Sequence, residues 1–321
     1  MKFLSAATLA IGLAVPAATL AESWDMPTPY GDGTFHTQNI SQFADDVRVA
    51  TDGALDITVH SAGSLFPHAE IKNAVRSRQV PIGEFLLSRL SNEDAAYGID
   101  SQPFLATSME DAKRLWDAQK PVVTELLAEQ GLVPLFSVPW PAQGLYTTGE
   151  VASVDDLSGL RFRAYNAALE EFATLAGAAP VQVEVPDIPQ AFSTGQVEAM
   201  ITSSSTGANS SAWDYLSHFS PINAWLPKNV VVVNQRMFES LPEEVQAAVM
   251  EAAAAAETRG WEMSAAEDAA QIQALRDGGI TVYDPSADLV AGLEGLGGEM
   301  LENWKGGASE AGLSILDAYQ P

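Results

Sequence analysis

The chain contains no cysteine. That excludes disulfides, thiol nucleophiles and thiolate metal sites, and it suits an oxidising compartment where a stray thiol mispairs. Positive charge is scarce too: 16 Lys and Arg stand against 42 Asp and Glu, a formal net charge of -26. Such a surface repels phosphate backbones and anionic lipid headgroups, so nucleic acid is not an expected partner. Any anion site must therefore be locally basic. His36, His60, His68 and His218 show no HxxxH or HExxH spacing, so no metal or other cofactor is expected. GxSxG, GxxxxGK[ST], GxGxxG and SxxK templates are missing as well.

Long apolar runs are also absent, so direct membrane insertion is not expected. The one apolar stretch of note lies at the start, where Lys2 precedes Phe3 to Val15 and the small residues Ala17-Ala18-Thr19-Leu20-Ala21 follow. This is the layout of a secretory signal peptide over 1–21, with Glu22 as the first mature residue and a periplasmic destination. Removing Lys2 with the leader takes the formal charge from -26 to -27. Roughly 300 residues remain, enough for two lobes.

Hydrophobic periodicity then predicts alternating strands and helices. Strands are expected at 23–28, 54–60 and 80–87, with helices at 35–51 and 67–78; a second set follows with strands at 160–165, 181–185 and 197–202. Such alternation implies parallel sheets joined by right-handed crossovers. IKNAVRSRQV (71–80) also aligns with IPQAFSTGQV (188–197) at a constant offset of 117, a faint echo between the two sets. Proline and glycine in Leu132 to Thr148 mark a crossing between lobes, and a second is expected near Trp225 to Val233. The lobes would then comprise 22–140 plus 229–268 and 141–228 plus 269–321. Ser240-Leu241-Pro242-Glu243 reads as a capping box opening an Ala-rich helix to Asp277, long enough to brace both lobes and kinked at Gly260.

Arg163 stands at the carboxyl end of a predicted strand, where open α/β sheets bind ligands. A guanidinium in so acidic a chain suits a carboxylate; the alternative is an ion pair with a surface Asp or Glu. Arg89 is a second candidate cation with the same alternative. Tyr30, Phe66, Phe85, Trp140, Tyr165 and Trp225 fall in turns and crossings around one expected cleft, as flat walls for a small acid or as ordinary packing. The run Thr202-Ser203-Ser204-Ser205-Thr206 offers hydroxyls to a carboxylate or, with His218, a nucleophile and base for an exported hydrolase or lyase. A polar turn capping the next helix is the favoured account over the nucleophile, because no acid or oxyanion element stands at a recognisable spacing.

The stretches DDLSGLRFRAYN (155–166), AGAAPVQV (176–183) and FSTGQVEAMI (192–201), with LPEEVQAAVMEAA (241–253), resemble the extracytoplasmic solute-binding proteins of TRAP transporters. The resemblance covers essentially the whole mature chain. It implies a two-lobed α/β periplasmic binding protein of type II-like form, with parallel or mixed sheets, a cleft between lobes and a long bracing helix. It further implies a binding protein rather than an enzyme, which closes on a small organic carboxylate and delivers it to the membrane subunits. Arg163 occupies the position of the family's carboxylate clamp. Thr202 stands where many members have asparagine, and Trp140 and Gln143 stand where others have a second basic residue. Those departures point to a monocarboxylate with an apolar, aromatic or hydroxylated body, such as a benzoate. A ligand sensor for a membrane receptor is the remaining alternative.

Overall fold

The computed structural model describes residues 21–320, so all but the last residue of the expected signal peptide lies outside the described residues. The first elements are β1 (Glu22–Pro27), α1 (Phe35–Ala50), β2 (Leu55–His60), α2 (His68–Arg76) and β3 (Ile82–Leu86). Asp52 and Gly53, both left-handed (φ 50° and 77°), stop α1 where the sequence places a stop. α3 (Met109–Ala128) and β4 (Leu132–Pro139) complete this group. The next comprises β5 (Gln143–Thr147), β6 (Arg161–Ala164), α4 (Ala167–Leu175), β7 (Ala179–Gln182), α5 (Ile188–Ser193), β8 (Ala199–Ser203), α6 (Ser204–Asn209) and β9 (His218–Ser220). The chain closes with β10 (Lys228–Asn234), α7 (Gln235–Glu239), α8 (Glu243–Asp277), β11 (Thr281–Val282), α9 (Ala287–Gly307) and α10 (Glu310–Tyr319).

The architecture is α/β with mixed sheets, as the resemblance implies, although the strand–helix alternation alone pointed to parallel pairing. β1 and β2 pair in parallel, but β10 lies between β3 and β4 and runs antiparallel to both. The reason is connectivity: β10 returns from the second lobe and so enters the first sheet from the opposite end. Its Val230–Val233 run is buried on both faces, as an apolar central strand requires. The second sheet, β11-β9-β5-β8-β6-β7, keeps β8, β6 and β7 parallel, while β5 opposes β8 and β9.

Leu132 to Thr148 is not a loose crossover but two strands, β4 and β5, joined by Trp140–Ala142. The return crossing lies beside it: Trp140 N–H donates to the Pro227 carbonyl (2.8 Å) and Gln143 N–H to that of Trp225 (2.9 Å). Two hydrogen-bonded segments thus link the sheets.

The internal echo extends beyond the ten aligned residues. Gln79 and Gln196 donate to Ala74 and Ala191 carbonyls at 2.9 and 2.8 Å, and Arg78 and Gly195 share a left-handed backbone (φ 62° and 69°). β3 begins at 82 and β8 at 199, the same offset.

α8 runs unbroken for 35 residues, roughly 50 Å. Val245, Val249 and Ala253 join the core with α1, whereas Leu275 packs with Tyr146 and Phe219 of the second sheet. The expected capping box does not form. Pro242 occupies the N-cap without a side-chain bond, and Ser240 Oγ instead donates to the Met237 carbonyl. Gly260 does not break the helix either; a Cβ there would sit 2.3 Å from Val138 Cγ2 and 2.7 Å from Asn39 Nδ2. α9 and α10, capped by Ser286 and Ser309, had no counterpart in the sequence reading. The sequence boundaries place α10 in the second lobe, yet its Ile315 and Tyr319 pack on Leu115 of α3.

Candidate ligand-binding site

At the carboxyl end of β6, Phe162 and Ala164 are taken into the core, and Arg163 between them projects from the opposite face. Arg163 is 1% exposed; its Nε donates to the Val183 carbonyl at 3.0 Å, and its Nη1 has no hydrogen-bond partner. Its guanidinium carbon sits 5.0 Å from the Tyr165 ring centroid. Burial outweighs the neighbouring aromatic and acidic groups and lowers its pKa to about 10. A buried, incompletely partnered guanidinium is costly and calls for an anion.

Arg163 lines a cavity enclosing about 360 Å³, part of it open to solvent, together with Tyr30, Trp140, Gln143, Tyr165 and Thr202. With Thr206 of the hydroxyl run, seven of the sequence candidates thus meet in one place. Most of their polar atoms are already engaged. Trp140 Nε1 and Tyr30 Oη both donate to Asn229 Oδ1, at 3.0 and 3.1 Å. Asn229 in turn donates to the buried Glu84, which also accepts from Thr28. Tyr165 Oη donates to Gln143 Oε1 (3.1 Å), and Gln143 Nε2 donates to the Pro141 carbonyl. The aromatic walls therefore offer mainly their faces. Trp140 is packed among Tyr30, Phe35 and His36, with ring centroids at 4.9, 5.5 and 4.3 Å.

The other candidates lie elsewhere. Arg89 Nη1 donates to the Tyr165 carbonyl and pairs with Glu184 Oε1, both at 2.9 Å. It sits in a short 3-10 turn after β3, and both contacts are to residues of the second lobe. Trp225 stands behind Tyr165, donating to its hydroxyl at 3.2 Å. Phe85 is buried with Ile71 and Tyr97 in a separate cluster, and Phe66 packs against that cluster: both belong to the core of the first lobe. Ser203 caps α6, accepting from Thr206 N–H at 3.0 Å. Ser204 and Ser205 donate to Asp268 and Glu267 of α8. His218 is hydrogen-bonded to Ser217, and none of the 202–206 hydroxyls bonds to it. The nucleophile–base arrangement does not form.

Two polar lining residues escaped the sequence reading, His68 and Glu184. Leu86 N–H donates to His68 Nε2 at 3.1 Å, so the ring proton resides on Nδ1 and faces Glu184 Oε2 at 3.3 Å. Burial lowers the His68 pKa and favours this neutral form. Burial raises the Glu184 carboxyl, but the His68 hydrogen bond, the positive charge His68 carries once protonated, and the charges of Arg89 and Arg163 outweigh it, leaving its pKa at about 2. The signal for Glu184 was one of offset: it follows β7, one strand over from Arg163, at the same carboxyl end of the sheet.

A family profile described as "Bacterial extracellular solute-binding protein, family 7" matches residues 29–293. A curated solute-binding protein of Albidiferax ferrireducens is 25% identical over 296 residues, covering 89% of this chain and 86% of the relative. Among solved structures, a Bordetella pertussis extracytoplasmic solute receptor binding pyroglutamic acid is 42% identical with a TM-score of 0.93, over 94% of this chain and 100% of its own. A marine metagenome TRAP solute-binding protein specific for pyroglutamate, from an unidentified microbe, is 40% identical with a TM-score of 0.91, over 94% and 99% of the two chains.

Proposed function

We propose, from the premise that this chain belongs to family 7 of the bacterial extracellular solute-binding proteins, that it captures a small cyclic monocarboxylate of the pyroglutamate type. It does so in the periplasm, by closure of two lobes, and hands the ligand to TRAP membrane subunits. The observation that carries the reading is the unpartnered Nη1 of Arg163, buried in the wall of the cavity. A ligand carboxylate supplies the missing partner, and the faces of Trp140 and Tyr30 cover the body of the ring. The benzoate expectation gives way to a compact, non-aromatic ring acid because relatives at 42% and 40% identity bind pyroglutamate. Closure follows from ligand contacts that exist only when both lobes are together.

Turnover is not part of this reading: the hydroxyls of Ser203, Ser204 and Ser205 cap α6 or tie it to α8, and His218 is hydrogen-bonded to Ser217 rather than to the run. Thermal-shift and calorimetric titration with L-pyroglutamate, benzoate, succinate and glucuronate test the proposal. At about 100 times Kd, a bound ligand adds roughly 2.7 kcal/mol of stability. Selective stabilisation by pyroglutamate is expected. Stabilisation by benzoate or succinate alone would overturn the ligand class, and product formation from any of them would overturn the receptor reading.

A further inference from the structure

Resting on the monocarboxylate reading above, we propose that Glu184 is the specificity-determining counterpart of Arg163: it accepts a hydrogen bond from an N–H beside the ligand's carboxylate and repels a second carboxylate. Two opposite charges line the cavity among the described residues, the guanidinium of Arg163 and the carboxylate of Glu184. His68, the imidazole in the same lining, has both ring nitrogens engaged, one by Leu86 N–H and one by Glu184 itself. Glu184 Oε1 has Arg89 and Oε2 has His68. A carboxylate accepts about four hydrogen bonds, so each oxygen retains capacity. Its side chain is 33% exposed, not sealed under its partners. Trp140, Tyr30, Gln143 and Tyr165 already have protein partners for their polar atoms.

The cavity is thus bipolar. One wall asks for an anion, and another offers an anionic acceptor that Arg89 and His68 keep in place. A ring acid with a lactam N–H next to its carboxylate satisfies both. The isosteric lactone lacks the donor and leaves Glu184 facing a ring oxygen, while an open-chain dicarboxylate brings a second negative charge toward it.

The test is isothermal titration of the full mature chain, and of Glu184→Gln and Glu184→Ala, with L-pyroglutamate, 5-oxotetrahydrofuran-2-carboxylate and glutarate. The wild type is expected to prefer the lactam to the lactone by roughly ten- to a hundred-fold. In Glu184→Ala that ratio should collapse toward one, and Glu184→Gln should gain affinity for glutarate. Loss of the Arg89 and His68 contacts weakens both ring acids alike and cancels in the ratio. Equal wild-type affinity for lactam and lactone, or an unchanged ratio in Glu184→Ala, overturns the inference and leaves the receptor reading intact. Binding of neither ring acid overturns both.

Discussion

Arg89 meets Glu184 at 2.9 Å, joining the end of the β3 segment to the segment after β7. The same Nη1 reaches the Tyr165 carbonyl, so one side chain grips the second lobe at two points. Arg89, the second candidate cation, thus joins the two lobes. Arg89→Met should therefore raise Kd for the ligand by about five- to thirty-fold, the loss of roughly 1–2 kcal/mol from a partly buried pair. The change should lie mainly in the dissociation rate, measured by stopped-flow fluorescence. An unchanged dissociation rate would remove Arg89 from the closure mechanism.

Arg163 separates binding from stability. Arg163→Met should cost roughly 3–5 kcal/mol of ligand affinity, since a ligand carboxylate is left buried without its partner. The unliganded protein should melt at the same temperature or higher, because a desolvated charge with an unpartnered Nη1 is removed. Calorimetry and thermal melts read the two effects. Near-normal affinity in this variant would refute the clamp.

Acid should weaken the molecule in two stages. The His68 pKa is lowered in the fold, so its contribution is present above its ordinary 6.5 and declines as pH falls below that value. Glu184, at about 2 against an ordinary 4.5, contributes above 4.5 and loses that contribution as pH falls toward 2. Both losses run in the same direction. Melting temperature followed from pH 8 to pH 3 should show His68→Gln lacking the upper stage and part of the lower one, and Glu184→Gln lacking most of the lower one. Superimposable profiles for all three proteins would contradict the assignment.

Gly260 illustrates a helix glycine kept for close approach. Alanine gains about 1 kcal/mol of helix propensity. Against this, its Cβ would meet Val138 Cγ2 at 2.3 Å, and relieving such a clash in a packed core costs roughly 1–3 kcal/mol or more. Gly260→Ala should lower the denaturant midpoint; a rise would show that α8 shifts freely on β4.

Much of this was legible in the chain. Arg163 stood out because a cation in an acidic sequence, placed after a β-strand pattern, needs an anion. Trp140 was found from its place in a crossing, Tyr165 from its place beside Arg163, and Gln143 from the resemblance, where it stands in the position of a second basic residue. What misled was the assumption that every polar or aromatic residue near the cleft faces it. Phe85 alternates to the other side of β3, Arg89 is drawn to a carboxylate nearly a hundred residues away, and Ser203 serves a backbone N–H three residues on. The antiparallel β10 was hidden because a buried strand reads the same in either direction. Glu184 was overlooked because, in a chain with 42 acidic residues, one more carboxylate carries no signal until its neighbours are known.

The long helix α8 is set in both halves of the molecule, by Val245 and Val249 at one end and Leu275 at the other. A continuous α-helix does not stretch, since each turn is fixed by its own backbone bonds. Near the second end α6 rides on α8 through the adjacent Ser204–Asp268 and Ser205–Glu267 contacts, which are polar rather than apolar. Hydroxyls facing a row of acidic side chains can exchange partners as the surfaces slip, whereas interlocked apolar side chains would catch. The polar seam leaves α8 a single stiff rod, seated by apolar side chains at its two ends and by exchangeable hydrogen bonds along α6.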